Sequence, residues 1–164
     1  FNLIFKLNLN IIFNNKMFNN LCQLTQKIIY NRYFSENVSR FRHILSLYNG
    51  DDWRNYIDSD DRIIHRNLKY SKTLLPYSVR PLDMYLLQWE PGAQSLIHGH
   101  GLDGCIMKVL EGELKEERYK HHNLNHIKDY ELPEGSIKYI DNDLGFHRII
   151  NTNKDKRSYS LHIY

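Results

Sequence analysis

The spacing of apolar positions changes near residue 60, and the change divides the chain into two kinds of structure. Before it, Leu21, Leu24 and Ile28, with Ile29 beside it, recur at helical spacing, so a helix is expected over residues 21–30. A second is expected from a Ser35 cap to Tyr48. Val38, Phe41, Leu45 and Tyr48 form one stripe along it, and Gly50 ends it. Beyond residue 60 the apolar runs are short and punctuated by Gly and Pro, which is the pattern of strands and tight turns. Extended structure is expected over residues 63–68, 82–89, 105–110, 136–140 and 158–164, with turns at Pro91-Gly92, Pro133-Glu134-Gly135 and residues 142–145. The run Leu110-Glu111-Gly112-Glu113-Leu114 reads as the tip of a β-hairpin, and the charged residues 115–126 read as a solvated loop. The fold class is therefore mainly β, a small barrel with N-terminal α-helices.

With 164 residues, one hydrophobic core is expected and no second domain. That domain is expected to span residues 17–164, with its helical part over about 20–60 and its barrel over about 61–164. The first sixteen residues contain only Phe, Asn, Leu, Ile and Lys, and read as a disordered or added leader. The formal charge of +3 is spread among both signs without a basic stripe, so no nucleic-acid partner is expected. No apolar run approaches the roughly 20 residues that cross a bilayer, so no membrane partner is expected either. Two cysteines, Cys22 and Cys105, make no disulfide framework. A reduced, cytoplasmic monomer is the expectation.

Chemistry concentrates at His98-Gly99-His100. In a strand, residues i and i+2 share a face, so both imidazoles would point the same way. Neutral imidazole suits Zn, Cu, Fe or Ni. The plain alternative is an exposed strand with two solvated histidines, since the chain has nine. The turns at Pro91-Gly92 and Glu111-Gly112 favour ligands at the mouth of a small barrel. His121, His122 and His126 form a second cluster, but Lys120, Asn123 and Asn125 around them read as loop.

The spacing from Gly92 through His98, His100 and Cys105 to Gly112 resembles the first motif of the cupin superfamily, with Cys where most cupins carry Glu. Gly145-Phe146-His147 and Asn151 resemble the second motif. Within the cupins, residues 35–164 are similar to the cysteine dioxygenase family of thiol dioxygenases, most clearly over residues 89–116 and 145–164. The resemblance implies Fe(II) held by His98, His100 and His147, with L-cysteine and O2 as partners and cysteine sulfinate as product. It pairs Cys105 with Tyr164, matching two residues that form a thioether in the animal-type enzymes. It also makes Ser160 and His162 the hydrogen-bond partners that hold Tyr164.

For the substrate carboxylate, Trp53, Arg66, Asn67 and Leu68 repeat the family's spacing from Trp to an Arg-Asn-Leu anchor. Arg66 is the preferred anchor, and it requires an inserted loop around residues 72–80. A gapless alternative puts Tyr70-Ser71-Lys72 in that place, with Lys72 as anchor. The family continues for several tens of residues past the Tyr, whereas this sequence stops at Tyr164, so a barrel incomplete at that end and a loosely held Tyr164 are expected. Two alternative functions follow: oxidation of another small thiol such as 3-mercaptopropionate, or a truncated, catalytically silent cupin.

Overall fold

The structure is a computed structural model that describes residues 18–29, 37–57, 62–78, 82–101 and 103–164. The sixteen-residue leader, Tyr30 and the expected Ser35 cap lie outside the described residues. Helix α1 spans Phe18–Ile29 and α2 spans Val38–Leu47. Asn37 occupies the N-cap position of α2, and Phe41, Ile44 and Leu45 form its buried face. A 3-10 turn at Asp52–Tyr56 buries Trp53. No helix among the described residues is long and apolar enough to cross a membrane.

Nine strands follow among the described residues: β1 Arg62–His65, β2 Tyr70–Leu74, β3 Met84–Trp89, β4 Cys105–Glu111, β5 Glu113–Tyr119, β6 His126–Pro133, β7 Ile137–Ile140, β8 Phe146–Ile150 and β9 Ser158–Ile163. They make a six-stranded sheet in the order β1-β2-β3-β9-β4-β7 and a three-stranded sheet in the order β6-β5-β8, with antiparallel pairing throughout.

Alternation along the strands sends side chains into two cores. Met84, Leu86, Ile106, Leu161 and Ile163 face the helices and meet Phe18, Leu21, Phe41, Leu45 and Trp53. Leu87, Trp89, Met107 and Val109 face the other way and meet Leu114, Leu132 and Ile149 of the smaller sheet. Because β4 and β9 are covered on both faces, residues 105–110 and the whole of β9 are buried, as strands buried on both faces must be. Lys108 is buried there too. Its ammonium donates to the Leu45 carbonyl at 2.6 Å, which also accepts the Tyr48 N–H at 3.4 Å, and to the Tyr48 carbonyl, fastening the end of α2 to the barrel.

Four details differ from the sequence reading. Residues 110–114 do not turn a hairpin, because β4 and β5 belong to different sheets and the chain crosses between them at Gly112. Gly112 has φ +78°, and a Cβ there would lie 2.5 Å from Ser158 Oγ, so the crossover needs glycine. Residues 115–119 are strand rather than loop, their inward side chains being covered by β6 and β8. Residues 72–74 are not part of an inserted loop, since they complete β2 in continuous register with β3, Lys72 opposite Leu87. The His98-Gly99-His100 segment is not a regular strand. It is tied to the smaller sheet by two isolated bridges, Gln94 to Ile150 and His98 to His147.

Candidate metal centre

The bridge between His98 and His147 places the three histidines. The backbones of His98 and His147 exchange two hydrogen bonds of 2.9 Å, which pairs the residue 94–100 segment with the edge of β8 that β5 leaves open. Ring centroids of His98, His100 and His147 then lie 4.7–4.9 Å apart, and one nitrogen from each falls within 4.8 Å of the other two. The His100 and His147 Nε2 atoms are 2.8 Å apart. Gly99 makes room for this. A Cβ on it would lie 2.5 Å from Asn142 Oδ1 and 2.6 Å from the Phe146 ring, and that same Asn142 oxygen accepts the His100 backbone N–H at 3.0 Å.

Hydrogen bonding selects the tautomers. His147 Nδ1 lies 3.0 Å from Glu116 Oε1 and His98 Nδ1 lies 2.9 Å from the Leu96 carbonyl; both partners accept, so each Nδ1 carries the proton and donates. Each of these two rings is thereby left with a bare Nε2 lone pair, and that of His147 faces His100 Nε2. Burial disfavours the imidazolium of His100, and the charges of His147 and His98 add to this, so its pKa falls to about 3. His98 is shifted down for the same reasons. Glu116 is wholly buried, which by itself would raise its pKa, but the hydrogen bond from His147 and the charge of Arg118 outweigh this and hold it below the usual carboxylate value. Neutral imidazoles with converging lone pairs repel one another unless a cation lies between them. Three nitrogen donors of this kind fit a first-row transition metal, with the remaining positions open. Glu116 stands in the charged run Lys115-Glu116-Glu117-Arg118, which carries no sign of burial in the sequence, and only strand pairing turns it inward.

Beside the histidines runs a polar chain on β9 and β3. Trp89 Nε1–H donates to Ser160 Oγ at 2.9 Å, Ser160 Oγ is 2.9 Å from His162 Nε2, and His162 Nδ1 is 3.4 Å from the Tyr164 hydroxyl. Ser160 accepts from Trp89 and keeps both its hydroxyl hydrogen and a second lone pair for His162 Nε2. Cys105 Sγ lies 3.9 Å from His162 Nδ1, and the Tyr164 ring is centred 5.4 Å from that of His100. Burial pushes the Cys105 thiol and the Tyr164 phenol up and His162 down, so all three are neutral. Tyr164 is held at its backbone, where it exchanges two hydrogen bonds with Asp83, against the expectation of a frayed residue.

The two carboxylate-anchor candidates are placed apart. Lys72 shares the face of Leu87, which is the barrel interior, and its ammonium sits 4.9 Å from the centre of the Tyr85 ring, itself edge-on to Tyr164 at 5.8 Å. Arg66 lies in a 3-10 turn, Arg66–Leu68, with its side chain exposed along a groove that includes Ile64, Lys69, Gln88 and Glu90. None of the described contacts joins it to the three histidines. Asn151, singled out with the second motif, is buried and ties the Trp89 and Glu90 carbonyls to that of Lys156 through its side-chain amide. Among the described residues His121, His122 and His126 form no metal-ligating group, and His126 instead pairs with Asp129 at 2.5 Å.

Two apposed antiparallel sheets enclosing a cluster of histidines define a cupin. Solved structures share this fold. They include oxalate oxidase in complex with the substrate analogue glycolate (TM-score 0.50, 18% identity, 60% of this chain and 52% of that one) and procruciferin, the 11S globulin from Brassica napus (TM-score 0.51, 12% identity, 65% and 27%). The profile of the family Cysteine dioxygenase type I matches residues 15–164, and the chain belongs to that family. Curated relatives named Cysteine dioxygenase type 1 are 27% identical over 135 residues in Homo sapiens and 28% identical over 138 residues in Danio rerio. These matches take in 78% and 79% of this chain but 64% and 66% of the relatives, so the chain spans just under two thirds of their length.

Proposed function

We propose that the protein is an Fe(II)-dependent thiol dioxygenase that converts L-cysteine and O2 to cysteine sulfinate, with His98, His100 and His147 as the iron ligands. The observation that carries this reading is the three-nitrogen site with the Ser160, His162, Tyr164 and Cys105 cluster beside it, in a chain of the cysteine dioxygenase type I family. Iron, when bound, supplies the redox-active centre where a thiolate sulfur and dioxygen can meet.

The chain's own residues supply the rest. Lys72 offers a positive charge on the interior face for the substrate carboxylate, in the place that the gapless alignment assigned to it. In the tautomer whose Nε2 accepts the Ser160 hydroxyl, His162 presents its Nδ1–H to Tyr164, which directs the Tyr164 hydroxyl hydrogen away from His162 and lets it donate to a bound substrate oxygen. Cys105 sits beside this phenol. A thioether between them would form by loss of the thiol hydrogen and one ring hydrogen, a two-electron oxidation with O2 as acceptor.

Lys72 also favours a second substrate. A single ammonium reads a carboxylate as a point charge, whereas a guanidinium fork reads its shape, so 3-mercaptopropionate becomes a competitor. Iron-loaded protein supplied with equal amounts of the two thiols and followed by carbon NMR decides between them. Faster formation of cysteine sulfinate supports the first reading, and faster formation of the sulfinate of 3-mercaptopropionate replaces it with the second.

A further inference from the structure

Glu116 is an unusual partner for a metal ligand. It is completely buried, one oxygen accepts the His147 Nδ1–H at 3.0 Å, and the other has no hydrogen-bond partner among the described residues. Its counter-ion is Arg118, whose Nε stands 3.4 Å from the same Oε1 that holds His147, without hydrogen-bond geometry. Arg118 is fixed from elsewhere, donating through Nη2 to the Tyr139 carbonyl at 3.2 Å and lying 5.0 Å from the centre of the Tyr130 ring. Lys128 and Lys138 crowd the same ring at 5.1 and 4.0 Å, so the solvent side of Arg118 is cationic.

Buried carboxylates are normally hydrogen-bonded, and the side chains that meet this one converge on Oε1 alone. An ion pair built for stability would also use the parallel two-bond geometry that guanidinium and carboxylate favour. Here His147 and Arg118 instead divide a single oxygen. More negative charge on that oxygen strengthens the hydrogen bond it accepts from His147 Nδ1–H, makes the ring more basic and raises its donor power at Nε2. A cation at 3.4 Å withdraws charge from the same atom.

We infer that Glu116 and Arg118 are an opposed pair of positioning residues that set how strongly His147 holds its metal, Glu116 strengthening the bond and Arg118 restraining it. The inference rests on the three-histidine site binding a metal, but not on the reaction that follows. A purely structural ion pair makes the opposite prediction, since losing either partner would loosen the site in the same direction.

The test is anaerobic titration of the metal-free full chain with Co(II), read by ligand-field absorption. Glu116→Gln keeps an acceptor of the same shape for His147 but removes the charge. It should weaken Co(II) binding by about 10- to 100-fold and shift the bands. Arg118→Met, with Arg118→Gln in its place should the first variant not fold, should tighten binding several-fold although it destabilises the metal-free protein. Weaker binding in both variants, or an affinity for Glu116→Gln within twofold of wild type, overturns the proposal while leaving the metal site intact. Failure of the wild-type chain to bind Co(II) overturns the metal-centre reading and this proposal with it.

Discussion

Replacing Lys72 should cost far more activity than replacing Arg66, despite the greater suitability of arginine for carboxylates. Lys72 is half-buried on the interior face of β2 and lies over the Tyr85 ring, so its ammonium is partly shielded from water. A hydrogen bond from such a group to a charged partner contributes about 1.5–3 kcal/mol, which corresponds to a roughly ten- to hundred-fold change in kcat/KM. Arg66 is exposed in its turn, and substitutions at such positions shift free energies by about 0.5 kcal/mol or less, hence about twofold. The assay is oxygen uptake by iron-loaded protein over a range of L-cysteine concentrations. Lys72→Met should lower kcat/KM mainly by raising KM, because carboxylate binding is made alike in ground state and transition state. Arg66→Ala should leave both constants near wild type. A larger loss in Arg66→Ala would refute the argument from register and mean that the 3-10 turn folds inward when substrate binds.

Further expectations concern stability and assembly of the site. Gly99→Ala should weaken metal binding and cost about 1–3 kcal/mol, since its Cβ would strike Asn142 and Phe146; a melting curve and a metal titration read both effects. Lys108→Met should destabilise by about 1–3 kcal/mol by taking the ammonium donor from the Tyr48 carbonyl and leaving the Leu45 carbonyl only its bond from the Tyr48 N–H, and the metal affinity should not change. Burial would raise the pKa of Glu117, but hydrogen bonds from Lys115, Tyr119 and Arg148 outweigh this and lower it to about 2. Its stabilising contribution is then complete above the unfolded-state value of 4.5 and is lost as pH falls toward 2. Urea unfolding of Glu117→Gln should therefore show a shallower decline between those values than wild type.

The strands covered on both faces were easy to read, since Cys105-Ile106-Met107 and Val109-Leu110 leave no alternation to misjudge. Turns marked by Pro91-Gly92 and Pro133-Glu134-Gly135 were equally plain, and Gly92 and Gly135 adopt the positive φ that such turns require. The grouping of three histidines was legible in two parts, His98 and His100 from their local spacing and His147 from the resemblance of its segment to the second cupin motif. What escaped depended on pairing. β6 is exposed along most of its length, so no apolar pattern announces it, and it exists because β5 offers it a partner. Tyr70-Ser71-Lys72-Thr73 looks like a polar connection, yet register against β3 buries Ser71 and Thr73 and turns Lys72 inward. Glu116 is hidden for the same reason, as one acid in a charged run whose alternate members face opposite ways.

The central claim is that three histidines in this barrel hold an iron that oxygenates a thiol. It is tested most directly by loading the chain with Fe(II) without oxygen, then adding L-cysteine and O2 and measuring oxygen consumed against cysteine sulfinate formed. Wild-type protein should bind one iron and form one sulfinate for each O2, and His100→Ala should do neither. Stoichiometric iron binding without sulfinate would contradict the dioxygenase reading, and iron binding retained in His100→Ala would contradict the site itself.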